Sequence, residues 1–212
     1  MDDSTLLNPI PDVMASPSIQ PRFSGAILAG GLSRRMGQDK ALLQVDGESL
    51  LARQVRLLRA AGATEVLLSQ SPDRPRPKSA LPPDVRLIWD DPTANAAGPL
   101  GVLATVIAAA TSDWVAVSAV DLPALTVEWW RSLLRRTSPG VGVVGQRPDG
   151  DFEPLAAVYP RIALGAIRQQ LASGNRALQH LITAGIAAGW IQVWPIPTDQ
   201  LPLLRNWNCP TD

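Results

Sequence analysis

Residues 25–40 read GAILAGGLSRRMGQDK, and this stretch decides the fold. Gly25 to Ala29 are apolar or small, and they run straight into Gly30 and Gly31. A polar, basic segment follows, carrying Ser33, Arg34, Arg35, Gly37 and Lys40. The pattern predicts a buried strand feeding a glycine-rich loop. Glycines reach positive φ and let the backbone come close to a ligand, so that successive N–H groups can converge on one anion. Two guanidinium forks and an ammonium within a few residues add charge suited to a ligand with several phosphates. Two familiar phosphate loops do not fit. A P-loop has four residues between its glycines and then GK[ST], whereas Gly31 and Gly37 are separated by five and Gln38 comes next. The dinucleotide fingerprint GxGxxG fails because Gly30 and Gly31 are adjacent.

The residues on either side extend the reading. Upstream, Pro9, Pro11, Pro17 and Pro21 in mixed polarity predict a disordered leader over 1–22, ahead of a single domain over 23–212. Downstream, 41–45 (ALLQV) is a short apolar run closed by the turn signal Asp46-Gly47. Ser49 is placed to cap a helix over 50–61, ended by Gly62, and 65–69 is a second buried strand. Strand, helix, strand in that order implies a parallel pair with a right-handed crossover. The segment 71–84 holds five prolines with Arg74, Arg76 and Lys78, and reads as an exposed connection. Further strands are expected at 85–89, 114–119, 140–145, 155–159 and 190–194. Helices are expected from Gly98-Pro99-Leu100-Gly101 to about 110, and over 127–135, 161–172 and 176–184. Asp149-Gly150 marks a hairpin tip. The whole predicts an α/β fold: a doubly wound, mostly parallel, Rossmann-like sheet with helices on both faces. Its ligand should lie in the crevice at the carboxyl ends of the strands.

Composition narrows the classes. A chain of 212 residues with 46% apolar content can bury a core without staples. Net charge is zero and no basic run exceeds two residues, which argues against a general nucleic-acid binder. One cysteine, Cys209, allows no disulfide within the chain, and one histidine, His180, offers little for a zinc site or a Ser-His-Asp triad. His180 sits in LQHLI and reads as helix packing. No apolar run reaches membrane-span length, and the N-terminus lacks a basic region followed by an apolar one, so a cytoplasmic protein is expected. Seven tryptophans leave room for an apolar contact surface.

Asp121 is the second anchor. It falls at the carboxyl end of an apolar strand, in SAVDLP, where Pro123 stops regular pairing. A carboxylate there, across from a triphosphate loop, suits Mg²⁺, which takes oxygen ligands and few protein contacts. The alternative is a turn aspartate capping the next helix. Asn206 and Asn208, in NWNCPTD, point the same way if extended, and offer amide oxygens to a metal or donors to phosphate or ribose.

The pattern LAGG-x-S-x-R-M-G-x-D-K resembles the signature of nucleotidyltransferases that activate sugars and pterins. With two glycines after the alanine it resembles the molybdenum cofactor guanylyltransferase branch; the cytidylyltransferases for the same pterin usually read LAAG. The resemblance implies that Leu28, Ala29, Gly30, Gly31, Lys40, Ser69, Asp90, Gly98, Pro99, Leu100 and Asp121 bind the nucleotide. Arg35, Lys40 and Asp121 would be catalytic, with Asp121 on Mg²⁺ as the metal ligand. Ser69 stands where relatives have asparagine. NWNCP is similar to the family's N-x-N-T-P with Cys209 in place of threonine. Glu153-Pro154-Leu155, with Tyr159 four residues on, is similar to the segment that receives the pterin, so that Glu153, Pro154, Asn206 and Asn208 would bind the acceptor. The implied reaction is in-line attack by the terminal phosphate of molybdopterin on the α-phosphorus of GTP, with loss of pyrophosphate. Enzymes that carry or insert the molybdenum cofactor would be partners. Two other readings stay open: a cytidylyltransferase or sugar-phosphate enzyme of the same fold, and a GTP-binding delivery module without turnover.

Overall fold

A computed structural model of the chain describes residues 21–29, 40–72, 81–90 and 98–207. Seven strands form one sheet in the order β5-β4-β1-β6-β8-β7-β9. They are β1 (Phe23–Leu28), β4 (Glu65–Gln70), β5 (Val85–Trp89), β6 (Trp114–Ala119), β7 (Gly142–Gln146), β8 (Ala156–Pro160) and β9 (Ile191–Pro195). β5, β4, β1 and β6 run parallel. β8 is inserted antiparallel between β6 and β7, and β9 is again parallel to β7. A mostly parallel, doubly wound sheet is therefore what the strand-helix alternation builds.

Alternation along each strand divides the core between two faces. From β1, Phe23 and Ile27 face α1 (Leu50–Ala60) and α3 (Val127–Leu134), whereas Ala26 and Leu28 face α2 (Pro99–Ala109), α4 (Ala163–Ala172) and α5 (Leu178–Ala187). Parallel strands buried on both sides need continuous apolar runs, which is why FSGAIL and WVAVSA carry no charge. Trp129, Trp130 and Trp194 lie inside this core, so the tryptophans serve mainly to fill it; Trp89, on the edge strand, is 52% exposed.

Local chemistry sets the boundaries. Ser49 accepts the backbone N–H of Ala52 and so caps α1. Thr126 does the same for α3 through Trp129. The apolar run at 41–45 does not form a strand of the main sheet. It makes a 3-10 turn, Lys40–Leu42, and then a two-stranded ribbon of β2 (Gln44–Val45) and β3 (Glu48–Ser49) around Asp46 and Gly47, both at positive φ. Two residues a side are too few to enter the large sheet, and Leu50 N–H donates instead to Leu43 O. α5 starts at Leu178 rather than 176 because Asn175 Oδ1 takes the Ala177 N–H and holds Ala177 extended. His180 does not pack inward: it is exposed and shares a hydrogen bond with Asn175.

The chain order locates the crevice. From β1 the chain winds outward through β4 to β5, then crosses back to β6 on the other side of β1. The direction of winding therefore reverses between β1 and β6. In open α/β sheets, ligands bind beyond the carboxyl ends of the strands at such a switch point. Those ends are Leu28-Ala29, which leads into the glycine-rich stretch, and Ala119-Val120, which leads into Asp121.

Candidate functional site

Three distant stretches meet beside the switch point. Lys40 Nζ lies 3.4 Å from Asp121 Oδ2 and donates to Trp207 O at 3.2 Å. Trp207 N–H in turn donates to Asp121 O at 2.9 Å. A cation, a carboxylate and the segment carrying Asn206 are thus joined, each still partly open to solvent. The cause is local in each case. Lys40 is held by the 3-10 turn that opens the β2–β3 ribbon. Asp121 follows β6, where Val120 N–H still reaches Leu28 O across the switch point. Trp207 lies just beyond a 3-10 helix, Thr198–Leu204.

A second cluster lies two strands away. Asp90, at the end of β5, is buried, and its Oδ1 accepts the Ser69 hydroxyl at 2.6 Å. Asp90 N–H ties back to Gln70 O. Its other oxygen, Oδ2, is buried with no hydrogen-bond donor among the described residues. Burial pushes the Asp90 carboxyl above its ordinary range, and the Ser69 hydroxyl offsets only part of that. A buried carboxylate oxygen left unpaired is costly, and a ligand with N–H or O–H donors would satisfy it. The Ser69 hydroxyl is thus spent on Asp90.

Gly98 opens α2 at φ 68°, a conformation that strains any side chain, and its carbonyl takes the N–H groups of Gly101 and Val102. Pro99 is exposed beside it, while the Leu100 side chain is wholly in the core, so Leu100 can offer a ligand only its backbone. Leu28 is likewise a core side chain, and its carbonyl is taken by Val120. Ala29 is half-buried at the rim.

On the far side of β6, Ala119 N–H bonds to Leu155 O, which draws residues 153–155 to the same end of the sheet. Glu153 is ion-paired with Arg147 across the hairpin that follows β7. Burial pushes the Glu153 carboxyl up, and Arg147 opposes it. Arg147 also reaches Leu204 O. Pro154 accepts the Tyr159 hydroxyl at 2.7 Å. Tyr159 itself is fully buried and burial raises its phenol, so it braces Pro154 from inside and presents nothing to an acceptor.

Arg147, the partner of Glu153, and Gln54 are two residues that the sequence motifs do not single out. Arg147 and Glu153 have opposite charges on the two sides of the Asp149-Gly150 tip, which is a legible pairing signal. Gln54 is a polar residue within the apolar stripe of α1, wholly buried, and donates from Nε2 to Leu122 O at 2.7 Å. Gly30, Gly31, Arg35 and Asn208 lie outside the described residues.

Comparison with known proteins bears on the family and the fold. The MobA-like NTP transferase domain matches residues 25–188. A probable molybdenum cofactor guanylyltransferase of Opitutus terrae is 41% identical over 193 residues, covering 90% of this chain and 92% of the relative. The molybdenum cofactor guanylyltransferase of Pseudomonas putida is 32% identical over 167 residues, covering 78% and 85%. The fold matches molybdopterin-guanine dinucleotide biosynthesis protein A from Archaeoglobus fulgidus, with a TM-score of 0.67 at 18% identity over 89% of this chain and 93% of that one. It also matches 2-C-methyl-D-erythritol 4-phosphate cytidylyltransferase from Thermus thermophilus, with a TM-score of 0.65 at 19% identity over 90% and 94%. With its sheet, its switch-point crevice and this matched length, the chain belongs to the MobA-like NTP transferase family.

Proposed function

We propose that the protein transfers GMP from GTP to the terminal phosphate of molybdopterin, releasing pyrophosphate and forming the guanine dinucleotide cofactor. The observation that carries this reading is the meeting of Lys40 and Asp121 at the switch point, in a chain whose relatives are named for that activity. In this reading the glycine-rich stretch with Gly30 and Gly31 cradles the nucleotide, and Arg35 and Lys40 neutralise the β- and γ-phosphates. Lys40 already sits against Asp121, so the group that meets the leaving pyrophosphate and the carboxylate are one unit. Asp90, steadied by Ser69, accepts from donor groups on the base; the guanine edge offers an amino group there. Gly98, Pro99 and the Leu100 backbone close the base side, with Leu28 and Ala29 as its floor. Glu153, Pro154, Asn206 and Asn208 receive the acceptor. Its phosphate is already ionised at neutral pH, so no general base is required. Catalysis is positioning plus charge neutralisation.

The residues present fit Mg²⁺. Among the described residues no group of three or more His, Cys, Asp or Glu could hold a metal by protein ligands alone. One partly exposed carboxylate beside a polyphosphate is the arrangement Mg²⁺ uses, because it keeps its waters and takes substrate oxygens. Asp121 would hold it, and the ion would supply charge to the α-phosphate and to the incoming oxygen. Among the described residues no helix is long and apolar enough to cross a membrane. The same reading makes it a cytoplasmic enzyme that hands its product to cofactor carrier and insertion proteins. The leader over 1–22 and a single catalytic domain over 23–212 belong to the same reading.

The test is pyrophosphate release from GTP, CTP, ATP and UTP with Mg²⁺, with and without molybdopterin. Release that needs both GTP and the pterin is the expected result. Release with CTP would move the protein to the cytidylyltransferases of this fold. Tight GTP binding without release would mark a delivery module.

A further inference from the structure

Three successive backbone carbonyls form the turn that presents Asp121, and each is held by a donor from another part of the chain. Trp207 N–H takes Asp121 O, Gln54 Nε2 takes Leu122 O, and Arg53 Nε takes Pro123 O. Gln54 is fully buried, and its second amide atom is also used: Oε1 accepts from Ser118 Oγ at 2.9 Å. Ser118 lies on β6, ahead of Asp121. One side chain therefore bridges the strand before the carboxylate and the turn after it.

Packing alone would favour a different residue. Gln54 sits among Leu50, Leu51, Val55, Leu57 and Leu58 on the buried stripe of α1, where an apolar side chain would avoid the cost of burying an amide. The amide is satisfied only because both of its ends are spent on the segment around Asp121. α1 also follows directly on the ribbon, and its Leu50 N–H donates to Leu43 O, next to the 3-10 turn that holds Lys40. The helix thus joins the cationic and the acidic side of the crevice in one rigid body.

We propose that Gln54, seconded by Arg53, is the positioning residue that aims the Asp121 carboxylate at the divalent cation and the nucleotide α-phosphate. The inference rests on the nucleotidyltransferase reading above. It follows from the ligand set: a cation held by a single protein carboxylate depends wholly on the direction of that carboxylate. Partners that orient a metal ligand typically change affinity by about 10–100-fold when removed.

The experiment is equilibrium dialysis of labelled GTP against the full chain, in EDTA and in Mn²⁺, with thermal unfolding recorded for each variant. The gain in GTP affinity on adding Mn²⁺ reports the carboxylate, and Asp121→Ala sets its floor. Gln54→Met, of similar volume, is expected to keep metal-free GTP binding within about twofold and to reduce the Mn²⁺ gain about tenfold. Val55→Ala, a cavity in the same helix face, is expected to lower the unfolding temperature and leave the gain intact. That comparison separates aiming from mere destabilisation. A folded Gln54→Met with a gain within twofold of wild type overturns the proposal. If Gln54→Met does not fold, Arg53→Met, on a partly exposed side chain, decides it in the same way: a gain lowered about threefold supports the clamp, and an unchanged gain overturns it. Wild-type protein that binds GTP with no gain from Mn²⁺ overturns the role of Asp121 and the clamp together.

Discussion

Three hydrogen bonds fix the backbone carbonyls of Asp121, Leu122 and Pro123, and among the described residues the Asp121 carboxylate meets Lys40 and stays partly open to solvent. Removing the carboxylate should leave the fold and lose the chemistry. Asp121→Ala is expected to lower the turnover number by about 10²-fold or more while circular dichroism and unfolding temperature stay near wild type; near-wild-type turnover in a folded variant would refute the assignment. Lys40→Ala should raise the KM for GTP, since in the proposed reading the ammonium meets the phosphates in the ground state as well as in the transition state. Asp90 behaves in the opposite sense for stability. Its folded pKa lies above the unfolded one because it is buried, so its favourable contribution is complete at low pH and is lost as pH rises through the folded value. Above that value the ionised form lowers the stability of the nucleotide-free protein. Asp90→Asn keeps the oxygen that Ser69 binds, and is expected to raise the unfolding temperature of the nucleotide-free protein at pH 7 while weakening discrimination for guanine. The stability difference should close below the ordinary carboxylate range, where wild type is neutral too. Scanning calorimetry at pH 7 and pH 3.5 measures both arms.

At the scale of elements, β5, β6 and the start of α1 can be read directly, and β1 to within two residues, because apolar runs of five or six residues and a Ser cap leave a plain signal. β8 starts one residue after the apolar run begins, and the ribbon at 44–49 leaves no signal, because pairs of two residues carry no periodicity. The site was legible in the same uneven way. Asp121 and Asp90 announce themselves as acids at the ends of apolar strands. The core role of Leu100 and the inward hydroxyl of Tyr159 depend on which way a side chain turns, and spacing does not report that. Gln54 was discernible only as a polar break in an apolar stripe. Glycine positions test this scale. A Cβ on Gly142 would lie 2.2 Å from Val158 O, backbone that cannot move aside without parting β7 from β8. Gly142→Ala is expected to cost about 1–3 kcal/mol or more, read as a lower urea midpoint.

For the molecule as a whole, the end of the sheet opposite the crevice is closed by one carboxylate. Glu65 accepts from Ser24 Oγ, Thr111 N–H and Thr111 Oγ1 on one oxygen and from Arg86 on the other, which links β1, β4, β5 and the approach to β6. Burial alone would raise Glu65, but those four donors outweigh it and hold the carboxyl below its ordinary value of 4.5. A lowered folded pKa means stability that is present above the unfolded value and lost as pH falls through the folded one. Glu65→Gln should therefore be less stable than wild type at pH 7, and the two should converge as pH falls through the folded value, as denaturant titrations would show.

The antiparallel insertion of β8 has a consequence in time. The four parallel strands β5, β4, β1 and β6 are complete in the chain by residue 119, yet β7 cannot join them, because the place beside β6 belongs to β8, which lies later in the sequence. Until residues 156–160 leave the ribosome, the edge of β6 stays unpaired and β7 has no neighbour. β8 is the keystone strand, and closure around it is the step at which a nascent or refolding chain is most open to pairing with the wrong partner.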